Sequence, residues 1–161
     1  MGAVRERRGS LGREYPRAPV VAVAAAIVDD GRILLVRRAS EPGRGRWSLP
    51  GGVVRLGERL GEAVVREVIE ETNLLIEVVR PIDIVETIIK DEDGRIRYHY
   101  VIIDYLARPV AGELRASSDA LEARWVGFEE ALKLDITNTL RRFLERHLDE
   151  LKALSELTQP S

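Results

Sequence analysis

Apolar residues along the chain occur in short runs typical of strands and in longer stretches with helical spacing. Apolar runs at 20–28 and 33–36 flank an Asp-Asp-Gly-Arg turn at 29–32, which predicts a β-hairpin whose strands are buried on both faces. From about residue 60 to residue 72, apolar side chains recur every three or four positions and predict a helix. Asn73 follows at the position where a left-handed residue commonly ends a helix.

Further strands and helices are predicted in the second half of the chain. Strands are predicted at 75–79, 82–89, 96–107 and 123–126, with Arg80-Pro81 separating the first two. A polar loop at 117–121, a short helix at 128–132 and a long amphipathic helix from 136 to about 157 complete the pattern. This order predicts an α/β fold, with a mixed β-sheet sandwiched between α-helices.

The pattern indicates one folded domain at residues 20–157. Residues 1–19 mix Arg, Gly and Pro without apolar periodicity, and they predict a flexible N-terminal arm or a segment that docks late. Residues 158–161 are predicted to be a tail. A chain of 161 residues fits a single domain of ordinary size.

Composition narrows the classes of function. Hydrophobic residues make up 45% of the chain and charged residues 32%, as in soluble globular proteins. The net charge of −2 gives no overall attraction to nucleic acid or to an anionic membrane, so a small-molecule partner is favoured. There is no Cys, which excludes disulfides, thiolate metal ligands and a Cys nucleophile. No apolar stretch resembles a signal peptide or a membrane span, and a cytoplasmic location is predicted.

Three carboxylates of the predicted helix carry the strongest chemical signal. On a helix, Glu67, Glu70 and Glu71 fall within an arc of roughly 100° that borders the apolar stripe. Glu67 and Glu71 are like charges four residues apart, a spacing that destabilises a helix unless a cation lies between them. Carboxylate oxygens and substrate phosphates suit Mg²⁺ or Mn²⁺. The alternative is a solvated helix face on which Glu62 and Arg66 form an ordinary ion pair.

The segment around these carboxylates resembles the Nudix box, G-x5-E-x7-R-E-U-x-E-E-x-G-U, where U is apolar. Eight of its nine specified positions match: Gly52, Glu58, Arg66, Glu67, Val68, Glu70, Glu71 and Leu74. Asn73 replaces the final Gly and tolerates the same left-handed conformation. Arg55 stands where many family members carry Glu, which affects the expected substrate contacts more than the chemistry. The resemblance extends from about residue 20 to the last helix.

The resemblance to the Nudix family implies a role for each matching residue. It implies that Glu67, Glu70 and Glu71 face the metal and that the Gly52 carbonyl is an extra ligand. It implies that Arg66 orients Glu58 and Glu67, and that Glu70 belongs to the catalytic set as well. Glu122, which precedes the strand predicted at 123–126, lies where the family often places another catalytic or metal-binding carboxylate. An exposed loop glutamate is the alternative.

Arginines near the Gly/Pro loop at 39–46 are candidate ligands for substrate phosphate. Arg37, Arg44 and Arg46 are the predicted contacts, and Arg38 belongs to the same group. Surface arginines that only increase solubility are the alternative. The apolar stripe of the last helix predicts packing against the sheet. The far end of this stripe is a candidate contact for a homodimer.

The function implied by the resemblance is metal-dependent hydrolysis of the diphosphate bond in a nucleoside diphosphate linked to another group. ADP-ribose or a similar nucleotide sugar is the leading substrate and would give a nucleoside monophosphate and a sugar phosphate. Alternatives are pyrophosphohydrolysis of nucleoside triphosphates, including oxidised ones, cleavage of diadenosine polyphosphates, and non-catalytic nucleotide binding. The isopentenyl diphosphate isomerase relatives use a catalytic Cys, which this chain lacks.

Overall fold

The computed structural model describes residues 13–117 and 119–157, which contain seven strands and three helices. The strands are β1 (Val20–Asp29), β2 (Arg32–Arg38), β3 (Trp47–Ser48), β4 (Gly51–Val53), β5 (Leu74–Lys90), β6 (Ile96–Gly112) and β7 (Ala120–Gly127). The helices are α1 (Leu60–Thr72), α2 (Phe128–Ala131) and α3 (Asn138–Leu157). None of the described helices is both long and apolar enough to cross a membrane.

The strands form a mixed sheet in which β1 is central. β1 pairs in parallel with β6 and antiparallel with β4, and β6 pairs antiparallel with β5. β2 pairs antiparallel with both β3 and β7. One apolar core lies between the sheet and α3, and a second lies between the sheet and α1. The predicted α/β fold, a mixed sheet between helices, is confirmed.

β1 and β2 diverge after a short paired stretch. They are Cα partners only at Val28 with Ile33 and at Asp29 with Arg32. Further along, β1 has β4 on one side and β6 on the other, which leaves no free edge for β2. The strands therefore separate, and β2, β3 and β7 form a second group of strands beside the first.

Local sequence signals account for the elements that match prediction. Asp30 and Gly31 have φ values of 48° and 74°, the left-handed pair that a two-residue hairpin turn requires. β1 and β2 are largely buried, as predicted. α1 covers the predicted residues, and Asn73 ends it with φ 64° while its N–H donates to the Ile69 carbonyl.

Other predicted boundaries were wrong. Arg80-Pro81 does not break the strand, because β5 is an edge strand and a proline there need not donate a hydrogen bond to a neighbour. The pairing of β5 with β6 is only irregular on either side of Pro81. β6 extends to Gly112, β7 begins at Ala120, and α3 begins at Asn138. The short strands β3 and β4 were not predicted.

Residues 13–19, the described part of the predicted arm, contact the end of the β5–β6 hairpin. The Glu14 carboxylate accepts a hydrogen bond from the Tyr98 hydroxyl at 2.9 Å and pairs with Arg97 at 3.3 Å. The Tyr15 N–H donates to the Arg97 carbonyl at 2.8 Å, and its hydroxyl donates to Asp91 at 2.9 Å. The predictions for residues 1–12 and for the tail at 158–161 fall outside the described residues.

Candidate active site

Arg66 of α1 is the centre of a network of carboxylates. Its guanidinium donates to Glu58 through two nitrogens, at 2.7 and 2.9 Å, and to Glu67 at 2.7 Å. It also donates to the Val53 carbonyl at 3.1 Å and to Glu70 at 3.3 Å. The forked contact with Arg66 lowers the pKa of Glu58 to about 2. These are the contacts that the resemblance implied, while the role of Arg66 in the reaction remains a prediction.

Arg66→Lys is expected to lower kcat by about 10- to 100-fold, the range typical of residues that orient metal ligands. A Lys ammonium keeps the charge but cannot bind Glu58 bidentately and reach Glu67 at the same time. Arg59→Lys, at an exposed residue just before α1, is the matched control. Steady-state kinetics of both variants would test this, and an equal small effect of the two changes would contradict it.

Glu67 and Glu71 lie beside the two glycines of β4. A Cβ built on Gly52 would lie 2.4 Å from the Glu67 carboxyl carbon, so only glycine fits there without displacing Glu67. The Gly51 N–H donates to Glu71 at 3.2 Å. Gly51 and Gly52 are held in place by antiparallel pairing with Ala24 and Val23 of β1.

Burial dominates the environment of these two carboxylates, even though Arg66 binds Glu67 and the charge of Arg38 acts on Glu71. Glu71 is only 8% exposed, and burial, followed by the negative charge of Glu67, raises its pKa to about 8. Burial also raises the pKa of Glu67, although Arg66 opposes this. A buried carboxylate and a largely buried one that repel each other beside the backbone of a glycine pair are suited to a divalent cation. The donor set therefore fits the predicted metal.

Glu70 is not grouped with Glu67 and Glu71. It points toward two arginines, with 3.3 Å to Arg66 and 3.6 Å to Arg55, and its side chain is 42% exposed. Within residues 13–117 and 119–157, no three His, Asp or Glu side chains form a ready-made metal cluster. Glu70 would have to rotate away from Arg55 to join such a site.

The loop between β6 and β7 brings Asp119 to the site. The Ser117 N–H donates to the Glu71 carbonyl at 3.2 Å, which holds this loop against the end of α1. The negative charge of Asp119 contributes to the raised pKa of both Glu67 and Glu71. No sequence pattern singles out Asp119, because its proximity to the site depends on how the loop docks.

Glu122 lies further along, within β7 rather than in the predicted loop. It pairs with Arg124 at 3.5 Å and is about half exposed. Its Cα partner across the sheet is Arg37. The placement of Glu122 in a loop was therefore wrong, since β7 begins two residues earlier, and its catalytic role remains a prediction.

The candidate arginines occupy different environments. Arg37 is exposed and donates to the Gly45 carbonyl at 3.1 Å, Arg46 pairs with Asp135 at 3.6 Å, and Arg44 is exposed. Arg38 is more buried, and its positive charge interacts with Glu71. Of these four arginines, Arg38 is the one whose charge acts on Glu71, whereas the sequence analysis favoured Arg37, Arg44 and Arg46.

The fold and the carboxylate-bearing helix together define the family. The NUDIX domain model matches residues 17–147, and the chain belongs to the Nudix family. The predicted family membership is confirmed. Nudix hydrolases generally use divalent metal ions.

Several proteins are similar to this chain. It is 38% identical over 116 residues to the ADP-ribose pyrophosphatase of Methanocaldococcus jannaschii, an alignment that covers 72% of this chain and 66% of that protein. It is 33% identical over 137 residues to the mouse 8-oxo-dGDP phosphatase NUDT18, covering 83% of this chain and 38% of that protein. Among solved structures, it is similar to the MutT NUDIX hydrolase from Burkholderia pseudomallei, with a TM-score of 0.71 and 35% identity over 80% of this chain and 98% of that one.

The chain spans slightly under two thirds of the ADP-ribose pyrophosphatase and little more than a third of the 8-oxo-dGDP phosphatase. These comparisons agree with the predicted Nudix hydrolase class.

Proposed function

We propose that this protein hydrolyses the diphosphate bond of a nucleoside diphosphate joined to another group. ADP-ribose or a similar nucleotide sugar is the proposed substrate, with a nucleoside monophosphate and a sugar phosphate as products. The observation that carries this proposal is the pair of neighbouring carboxylates, buried Glu71 and largely buried Glu67, beside Gly51 and Gly52. The similarity to an ADP-ribose pyrophosphatase supports the choice of substrate.

Glu67, Glu71 and the Gly52 carbonyl would hold Mg²⁺ or Mn²⁺, with Glu70 joining after rotation of its side chain. A bound divalent cation would supply charge neutralisation for the diphosphate and acidify a water molecule. Arg66 keeps Glu67 oriented and stays out of direct contact with substrate, because its donors are occupied by Glu58, Glu67 and Val53. A carboxylate outside this group would accept the proton of the attacking water.

Asp119 and Glu122 are the two candidates for that base. Asp119→Asn and Glu122→Gln each remove the ability to accept a proton with little change in size, so they form a matched pair. The variant that lacks the base is expected to lose about 100-fold or more in kcat, with little change in KM, and to lose the acidic limb of its pH–rate profile. Because the negative charge of Asp119 acts on both Glu67 and Glu71, we expect the larger loss in Asp119→Asn. Rescue of either variant by extra Mg²⁺ would identify that residue as a metal ligand instead.

Activity is expected to require a divalent cation and to favour nucleotide sugars. With Mg²⁺ or Mn²⁺, ADP-ribose should give AMP and ribose 5-phosphate with a higher kcat/KM than dGTP or its oxidised form. Product analysis by chromatography across nucleotide sugars, dinucleotides and triphosphates would test this. Full turnover in excess chelator would refute the proposed chemistry.

The second candidate function is hydrolysis of oxidised nucleotides, which the similarity to an 8-oxo-dGDP phosphatase favours. A higher kcat/KM for oxidised guanine nucleotides than for ADP-ribose would select it. Nucleotide binding without turnover of any substrate would indicate a binding domain. A cytoplasmic location and a homodimer remain proposals from the sequence.

A further inference from the structure

The second half of β5, residues 84–90, is an open edge of the sheet. Among the strands that the structure describes, β5 pairs only with β6, so its other side carries unpaired backbone N–H and C=O groups. In the first half of β5, the extra residues Val79 and Ile82 and the ring of Pro81 interrupt the regular edge. Residues 84–90 contain no proline and no extra residue opposite β6. This half of the edge is therefore able to accept another strand.

Apolar side chains on one face of this segment are uncovered. Exposure alternates along residues 84–90, with the even-numbered positions exposed and the odd-numbered ones partly buried. Ile84 is 66% exposed and Ile88 is 50% exposed, and neither belongs to the core under α1 or to the core under α3. Val21 of β1 is also exposed and lies on the same face, because it pairs with Val101, which pairs with Glu86. The open edge thus adjoins an exposed apolar strip of the sheet.

Two charges on this exposed face, Glu86 and Lys90, are complementary to those of a second copy of the same strand. In antiparallel pairing across a two-fold axis, directly opposite residues of the two copies share a face of the joint sheet. With the axis at Ile88, Glu86 of each copy lies opposite Lys90 of the other copy, and the two Ile88 side chains meet.

Other positions of the axis inside the segment give poorer pairs. With the axis at residue 86, the two Glu86 carboxylates would lie opposite each other, which is unfavourable. An axis at residue 85, 87 or 89 would place a charged side chain opposite an isoleucine. The order of charged and apolar residues therefore favours the register centred on Ile88.

We propose that two copies of this protein form a symmetric dimer by antiparallel pairing of residues 86–90 of β5, with Ile88 at the two-fold axis. Backbone hydrogen bonds, the contact between the two Ile88 side chains and two Glu86–Lys90 ion pairs hold the copies together. Lysine on an edge strand commonly prevents such pairing, but here Glu86 of the other copy matches its charge. This surface differs from the far end of α3, where the sequence placed a candidate dimer contact.

Sedimentation of the full chain over a range of concentrations tests the dimer. Ile88→Lys is expected to raise the dissociation constant of the dimer at least about tenfold, because it brings two ammonium groups together at the axis. Glu86→Lys should have a similar effect, since like charges would then lie opposite each other in both ion pairs. Adding Lys90→Glu to Glu86→Lys should restore the wild-type dissociation constant, because it exchanges the two charges. Val79→Lys, at an exposed apolar residue in the first half of β5, is the matched control.

Introduced cysteines test the register, because the chain itself contains no Cys. With the axis at Ile88, Ile88→Cys places the two thiols opposite each other and within reach of a disulfide. Mild oxidation should therefore convert most of this variant to a covalent dimer. Ile84→Cys, on the same face and more exposed, is the control and should form at least about tenfold less covalent dimer. Stronger crosslinking of Thr87→Cys than of Ile88→Cys would overturn the proposed register.

Circular dichroism would show that each variant is folded, and the charge exchange tests the interface even if Ile88→Lys does not fold. A wild-type protein that stays monomeric up to roughly 1 mM would overturn the proposal. An unchanged dimer in both Ile88→Lys and Glu86→Lys, or an equal weakening by Val79→Lys, would also overturn it. Leu157 is exposed at the far end of α3. Loss of the dimer in Leu157→Lys but not in Ile88→Lys would place the contact there and refute pairing through β5.

Discussion

Replacing Glu71 with Gln is expected to lower kcat by at least about a hundredfold while the protein stays folded. Gln has nearly the same volume, and its amide oxygen can still accept the hydrogen bond from the Gly51 N–H. What it removes is the negative charge, which is the property that would hold a divalent cation next to Glu67. The variant should also need more Mg²⁺ or Mn²⁺ to reach half-maximal rate.

Glu62→Gln is the matched control for this experiment, because Glu62 lies on the exposed first turn of the same helix. Its kcat is expected to equal that of the wild-type protein. Circular dichroism of both variants would show whether α1 is intact. A wild-type kcat in Glu71→Gln would favour the alternative interpretation, in which Glu67, Glu70 and Glu71 belong to an ordinary solvated helix face.

Asp104→Asn is expected to stabilise the protein at pH 8 by on the order of 2–4 kcal/mol, since each unit of pKa shift corresponds to about 1.4 kcal/mol. Asp104 is only 4% exposed, beneath α3, and its Cα partner on β5 is Asp83. Burial, followed by the negative charge of Asp83, raises the pKa of Asp104 from 3.8 to about 7, although Arg146 opposes this. An ionised Asp104 is therefore unfavourable in the folded protein.

The raised pKa of Asp104 makes the effect of Asp104→Asn on folding stability depend on pH. Because the folded-state pKa lies above the unfolded value, the contribution of Asp104 to stability is complete below about pH 4 and is lost as the pH rises through 7. The wild-type protein and Asp104→Asn should differ least near pH 4 and most above pH 7. Urea unfolding across this range would measure the difference, with Asp149→Asn on the exposed side of α3 as control. A constant difference at every pH would contradict this account.

Local signals explain why some elements could be predicted from the sequence. The bounds of α1 follow from apolar spacing together with Asn73, and the β1–β2 turn follows from Asp30-Gly31, a pair that favours left-handed conformations. β3 and β4 have two and three residues, too few for a periodic pattern. They exist because β1 and β2 provide edges for them, which is tertiary information.

The residues of the candidate site also divide into those indicated by local sequence and those that depend on tertiary structure. The Arg66 network lies within 18 residues of sequence, from Val53 to Glu70, so the spacing of the motif was enough to predict its charged members. The charges of Asp119 and Arg38, which are distant from each other and from α1 in the sequence, both act on Glu71. Their approach depends on the loop after β6 and on the separation of β2 from β1, neither of which has a local sequence pattern.

The separation of β1 from β2 after two residue pairs has a consequence for motion. Arg38 belongs to the strand group of β2, whereas Gly51 belongs to the group of β1; the two groups share backbone pairing only beside the Asp30-Gly31 turn and otherwise meet through side chains of the two apolar cores. A nucleotide that contacts both groups would hold them together and restrict their relative opening. Amide hydrogen exchange should then slow in β3 and β7 when AMP is bound, even though neither strand need touch the ligand.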